Sequence, residues 1–170
     1  TPLYSSAASD VYKRQVQKRT DALLNCGGTH RPEWFHRKLG DILYEGCGVA
    51  RDEAGLLDAL TKARELREEF WRDVKVVGTG NRLNQELEKA GRVADFIELG
   101  EVMILDALDR RESAGAHFRN EYATEAGEAK RNDDDWCAVS AWETRPDGTK
   151  VRHSEPLSFS LIDLQVRDYR

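Results

Sequence analysis

The 170-residue sequence predicts a mainly α fold, an antiparallel three-helix bundle followed by an extended C-terminal tail with short β-strands. Three observations predict it. Between residues 32 and 113, apolar side chains recur at three- and four-residue spacing in three blocks separated by glycine-rich breaks. Beyond Tyr122 that period disappears and turn signals replace it. The composition, 39% hydrophobic and 34% charged, supports one domain with a modest core.

The opening, Thr1 to Gln15, shares no periodicity with the rest of the chain and is expected to be a non-native or disordered tail preceding an incomplete N-terminal part. From Val16 to Asn25 a helix could continue, with Ala22, Leu23 and Leu24 as its apolar content, until Gly27-Gly28 stops it. The first bundle helix starts at Pro32, where a missing N–H is tolerated, and carries Phe35, Leu39, Ile42 and Leu43 on one side. Gly46 and Gly48 end it. Asp52 is the expected N-cap of the second, whose stripe runs from Leu56 through Leu60, Ala63, Leu66 and Phe70 to Val74. Its lysines and arginines alternate with acids and predict a solvated face. Asn84 caps the third, expected from Gln85 to about Ser113. Phe96, Leu99, Met103 and Ala107 add a second apolar side to that helix, which predicts cover on both sides.

In the tail, Arg131 to Asp135 reads as a solvated acidic turn. Trp136 to Trp142 is rich in strand formers, Pro146-Asp147-Gly148 is a turn signal, and Lys150 to His153 could pair back as a hairpin. Leu157 to Leu161 alternates with period two and predicts a further strand. The expected domains are therefore residues 1–15, 16–122 and 123–170.

Several function classes are excluded. With 26 basic against 31 acidic residues and a net charge of -5, the chain lacks the basic surplus of a general nucleic-acid binder. No apolar run approaches the roughly 20 residues of a membrane span. Cys26, Cys47 and Cys137 are odd in number and scattered, as expected of reduced thiols, and no Cys or His pair has ligand spacing, so no metal site is expected. Gly46-Cys47-Gly48 and Gly78-Thr79-Gly80 join helical blocks instead of following a strand, so no dinucleotide fingerprint is present. His30, His36 and His153 are isolated.

The densest chemistry lies from Arg110 to Tyr122, where arginines, carboxylates, Ser113, Gly115 and His117 gather at the end of the last helix. A Ser113–His117–Glu112 triad is disfavoured, because all three lie within six positions and no nucleophile elbow surrounds Ser113. His117 is expected instead to bond a carbonyl or carboxylate.

The order Arg-x-Glu-Ser-x-Gly-x-His-x-Arg over Arg110 to Arg119 resembles the C-terminal region of the succinate dehydrogenase/fumarate reductase flavoprotein subunit. Phe35 to Gly40, Leu66 to Trp71, Leu87 to Asp95, Thr124 to Ala129 and Val139 to Glu143 extend the resemblance over nearly all of residues 16–170. Many relatives carry Arg or Cys where Ala114 stands. The resemblance implies FAD bound by an N-terminal domain outside this sequence, succinate–fumarate interconversion, and electrons passed to an iron–sulfur subunit. It also implies indirect membrane anchoring at the inner face of the cell membrane. No catalytic, cofactor-binding or metal residue is carried over. Arg111, Glu112, Ser113, Gly115, His117 and Arg119 become candidates for an inter-domain seam. An L-aspartate oxidase-like flavoprotein and a free-standing helical interaction module are the alternatives.

Overall fold

A computed structural model of the chain describes residues 6–162, 164 and 165. It divides at Asp109/Arg110 into two compact units. The boundary expected after Tyr122 thus lies 13 residues earlier, because the last long helix ends before the charged stretch begins.

The first unit holds four long helices: α1 Ser6–Asn25, α2 Pro32–Gly46, α3 Glu53–Asp73 and α4 Gln85–Asp109. A count of three omits α1. The disordered tail expected over residues 1–15 is replaced from Ser6 onward by helix. Its outer half has no apolar stripe because Ser9 to Arg19 are all exposed. Good helix formers such as Ala, Lys, Arg and Gln sustain the helix without one. α1 first reaches the core at Leu23, which is 3% exposed, and Arg19 also pairs with Asp95 of α4 at 2.5 Å.

The other starts agree with the sequence signals. Pro32 opens α2. The Asp52 carboxylate accepts the Gly55 N–H at 2.8 Å to cap α3, and Asn84 Oδ1 accepts the Leu87 N–H at 3.1 Å to cap α4. The stripes of α2, α3 and α4, joined by Leu23 of α1, are buried in two clusters. One joins Leu23, Phe35, Leu39, Leu66, Phe70, Val74, Ala90, Val93 and Ile97, with Phe35 edge-on to Phe70 at 5.2 Å between ring centroids. The other gathers Cys47, Leu56, Leu60, Ala63, Ile104 and Ala107. Burial raises the Cys47 thiol above its ordinary pKa, although Arg51 partly opposes this.

Two expectations for the helices change. The second apolar side of α4 is only partly covered among the described residues: Ala107 is 2% exposed, but Phe96, Leu99 and Met103 are 41%, 56% and 47% exposed. They line an open groove of about 250 Å³ with His36, Leu39 and Leu43. The face of α3 that alternates lysines and arginines with acids is also not wholly solvated. Arg64 Nε donates to Glu101 Oε1 of α4 at 2.9 Å, and Arg67 donates to the other oxygen of the same buried carboxylate.

The second unit begins where α4 stops, four residues before the expected end at Ser113. It contains a 3-10 turn at Asn120–Tyr122, a single-turn helix α5 at Asp133–Trp136, and an antiparallel hairpin. The hairpin pairs Ala138–Thr144 with Lys150–Pro156, from Ala138 opposite Pro156 to Thr144 opposite Lys150. The acidic run expected as a turn is α5, and Asn132 is its N-cap. Leu157 to Leu161 is not a strand: the Leu157 N–H still bonds the Cys137 carbonyl, but the residues beyond it have no ladder partner. Alternation without a neighbouring strand leaves backbone groups unpaired, so the pattern alone does not make a strand.

Candidate functional site

The six seam candidates all lie in the second unit, and the structure gives them three different environments. Glu112, Ser113 and Arg119 are 1%, 0% and 2% exposed; Arg111 and Gly115 are exposed, and His117 is half-buried.

Glu112 is the hub. Arg110 donates to Oε1 from Nε at 2.8 Å and from Nη2 at 2.6 Å, while Oε2 accepts the Asn132 backbone N–H at 2.8 Å. Leaving the helix at Asp109 is what lets the chain bend back so that these groups meet. Arg110 also donates to the Trp136 carbonyl at 3.1 Å and sits over the Trp136 ring at 5.9 Å. With two arginine N–H donors on one oxygen and a backbone N–H on the other, this buried carboxylate is satisfied on both oxygens.

Ser113 fixes the neighbouring strand of backbone. Its Oγ accepts the Arg119 N–H at 2.8 Å and donates to the Arg119 carbonyl at 3.2 Å, and its own N–H reaches the Lys130 carbonyl at 2.9 Å. Between them, Ala114 and His117 exchange both backbone bonds at 2.9 and 3.0 Å around the pair Gly115-Ala116. Gly115 has φ +58°, while no other residue type has positive φ among the described residues. A two-residue hairpin loop with glycine first is the II′ arrangement, which demands that conformation. His117 Nε2 bonds the Arg110 carbonyl at 3.0 Å, the kind of partner expected for it. Arg119 donates to Glu121 at 3.1 Å and lies over the Tyr122 ring at 5.5 Å. Arg111 lines an open groove of about 440 Å³ with Tyr122, Lys130, Arg131, Asn132 and Asp133.

What this arrangement can do is set by where its polar atoms point. The Ser113 hydroxyl is held by backbone on both sides and His117 by a carbonyl, so neither is aimed at the other as nucleophile and base must be. The groups hold a shape. Asn132 and Lys130 belong to the same cluster, and sequence reasoning missed both: they act through the backbone N–H of one and the carbonyl of the other, atoms that every residue carries.

A flavin adenine dinucleotide does not fit the residues described. Its pyrophosphate is ordinarily received by an open helix N-terminus after a glycine-rich turn from a strand. Here the N-terminus of α3 is filled by the Asp52 carboxylate and that of α4 by Asn84, while α2 begins at a proline. No helix among the described residues is long and apolar enough to cross a membrane.

Known proteins are similar to this chain in sequence and in fold. Residues 36–169 match the family described as the fumarate reductase flavoprotein C-terminus. A succinate dehydrogenase flavoprotein subunit of Bacillus subtilis is 26% identical over 166 residues, covering 97% of this chain and 27% of that protein. A fumarate reductase flavoprotein subunit of Haemophilus influenzae is 27% identical over 118 residues, covering 69% of this chain and 20% of its own. Among solved structures, quinol fumarate reductase of E. coli superposes with a TM-score of 0.81 at 24% identity, over 95% of this chain and 27% of that one, a likeness of fold. The chain thus spans about a quarter of the length of these relatives.

Proposed function

Because the chain belongs to the fumarate reductase flavoprotein C-terminal family, we propose that it is the C-terminal region of a succinate dehydrogenase or fumarate reductase flavoprotein subunit. The match over residues 36–169 carries this reading. The complete subunit interconverts succinate and fumarate on FAD held by its N-terminal part and passes electrons to an iron–sulfur subunit. It lies at the cytoplasmic face of the membrane through that complex. The 170 residues alone bind no flavin and are inactive, with the helices as a structural body and residues 123–170 as a tail.

In this reading Arg111, Glu112, Ser113, Gly115, His117 and Arg119 form a seam against the flavin-binding part. Support comes from the division of labour within the cluster. Glu112, Ser113 and Arg119 are buried and hold the backbone, which leaves Arg111 and the Gly115 turn exposed for contact. The uncovered face of α4 at Phe96, Leu99 and Met103 also favours a larger parent over a free-standing helical module, since apolar surface of that kind is ordinarily covered. An aspartate oxidase-like parent has less support, because the curated relatives named above are succinate dehydrogenase and fumarate reductase subunits.

The test is to recover the coding sequence upstream of residue 16, express the complete chain beside the 170-residue chain, and record flavin absorbance and succinate-dependent dye reduction. The complete chain is expected to show both and the 170-residue chain neither. A complete chain without flavin, or flavin held tightly by the shorter one, overturns the proposal.

A further inference from the structure

We propose that His30, Glu69 and Asp73 form a binding site for a first-row divalent cation of the zinc class. The site lies in the helical unit. One ligand atom from each of the three side chains lies within 4.8 Å of the other two. Glu69 and Asp73 stand one helical turn apart on α3, so their carboxylates share a face. His30 comes from the link before α2 and turns its ring toward Asp73, with Nδ1 2.5 Å from Oδ2.

The loop that delivers His30 is fixed by backbone. The His30 N–H bonds the Asp73 carbonyl at 3.2 Å, the Lys75 N–H bonds the His30 carbonyl at 2.8 Å, and the Gly28 N–H bonds the Val74 carbonyl at 3.2 Å. This approach requires glycine at position 28, because a Cβ there would sit 1.9 Å from the Asp73 carbonyl oxygen. The ligands are also oriented from outside. Thr29 donates its N–H to Asp73 Oδ1 at 2.8 Å and its hydroxyl to the same carboxylate, while Trp34 stacks on the His30 ring at 4.1 Å. Such supporting contacts hold metal ligands in place.

Glu69 is the observation that turns a His–Asp pair into a cation site. It is half-buried beside the other two, yet makes no hydrogen bond or ion pair among the described residues. It opens on a groove lined by four carboxylates against two lysines, which gives a cation an entry path and an attractive field. One imidazole with two carboxylates suits zinc, cobalt or nickel and leaves a coordination position for water. Ligand bonds of about 2.1 Å put two donors on one ion no more than about 4.2 Å apart. A rotamer change at Glu69 therefore completes the set.

The experiment strips the 170-residue chain with a chelator and titrates it with zinc chloride by calorimetry, with circular dichroism to monitor the fold. Cobalt chloride, followed by its visible absorption, is the second probe. One zinc per chain is expected, with binding at least tenfold weaker in Glu69→Gln and in His30→Gln while the helical signal is retained. Glu69→Gln is decisive because that side chain makes no hydrogen bond or ion pair to lose among the described residues. Absence of saturable zinc binding overturns the proposal. So does unchanged affinity in Glu69→Gln, which assigns the ion to the thiols or the surface.

Discussion

Among the described residues, the buried side chains of the helical unit are apolar except for Glu101, whereas those of the C-terminal unit are polar. Every buried hydrophobic side chain among the described residues lies between Leu23 and Ala107. Beyond Arg110 the buried side chains of the described residues are Glu112, Ser113 and Arg119. The first kind of stabilisation scales with area and has no direction; the second depends on angles and on partners being present together. Each unit also buries one carboxylate, and the two differ in the same way. Glu101 is held by Arg64 and Arg67, which are 48% and 35% exposed and can return to water without it. Glu112 is held by Arg110, which is 26% exposed, and by the Asn132 backbone N–H, which the fold fixes in place.

This contrast can be broken at five points. Phe70→Ala removes a ring packed edge-on against Phe35 and Trp71 in the larger core cluster, and should cost about 4 kcal/mol in urea unfolding followed by far-UV circular dichroism. A cost below about 1 kcal/mol would mean that the helices are not held by that cluster. Glu112→Met should cost about 3 kcal/mol, because the Asn132 N–H and the Arg110 guanidinium lose their partner together. Amide exchange should rise at Asn132 and Ser113 while the helical amides keep their protection. Glu101→Met should cost no more than about 1 kcal/mol, since both arginines reach solvent. Equal losses at Glu101 and Glu112 would erase the distinction between the units. Gly115→Ala should cost about 1 kcal/mol from backbone strain alone, because nothing lies within 4 Å of the added Cβ.

The smallest effect is electrostatic. The hydrogen bond from Lys89, at 2.5 Å, holds the Glu33 carboxyl below its ordinary pKa of 4.5. A depressed carboxyl stabilises the fold above its unfolded value and loses that contribution as pH falls through the folded one. Lys89→Gln should therefore lower stability slightly at neutral pH and low salt, and not at all well below pH 4.5. Urea unfolding at the two pH values measures the difference.

Much of the helical unit was legible because its signals are local. Pro32, Asp52 and Asn84 act on backbone atoms within a turn of themselves, and the stripes of α2 and α3 repeat along one face. The features that could not be read depend on pairing across the chain. No local pattern distinguishes Glu101 from the other acids of α4; its two arginines come from α3. The strand pattern of Leu157 to Leu161 lacked a neighbour to pair with. The His30 grouping joins residues 43 positions apart, beyond the reach of any local spacing, so His30 reads as isolated in the sequence. At the seam candidates the residue types singled out the stretch, while the contacts that hold it run largely through main-chain atoms.

The backbone pairing of His30 with Val74 also bears on the order in which the chain assembles. It joins the two ends of the α2–α3 hairpin across 43 to 45 positions, while Arg19 of α1 meets Asp95 of α4 across 76. Closing the longer loop costs about 0.5 kcal/mol more entropy on a logarithmic scale. Contacts near in sequence form first and those far apart come later. By the same rule α3 and α4, whose Arg64–Glu101 and Arg67–Glu101 bonds span 37 and 34 positions, are expected to pair at least as early as the α2–α3 hairpin, and the Arg19–Asp95 contact of α1 later.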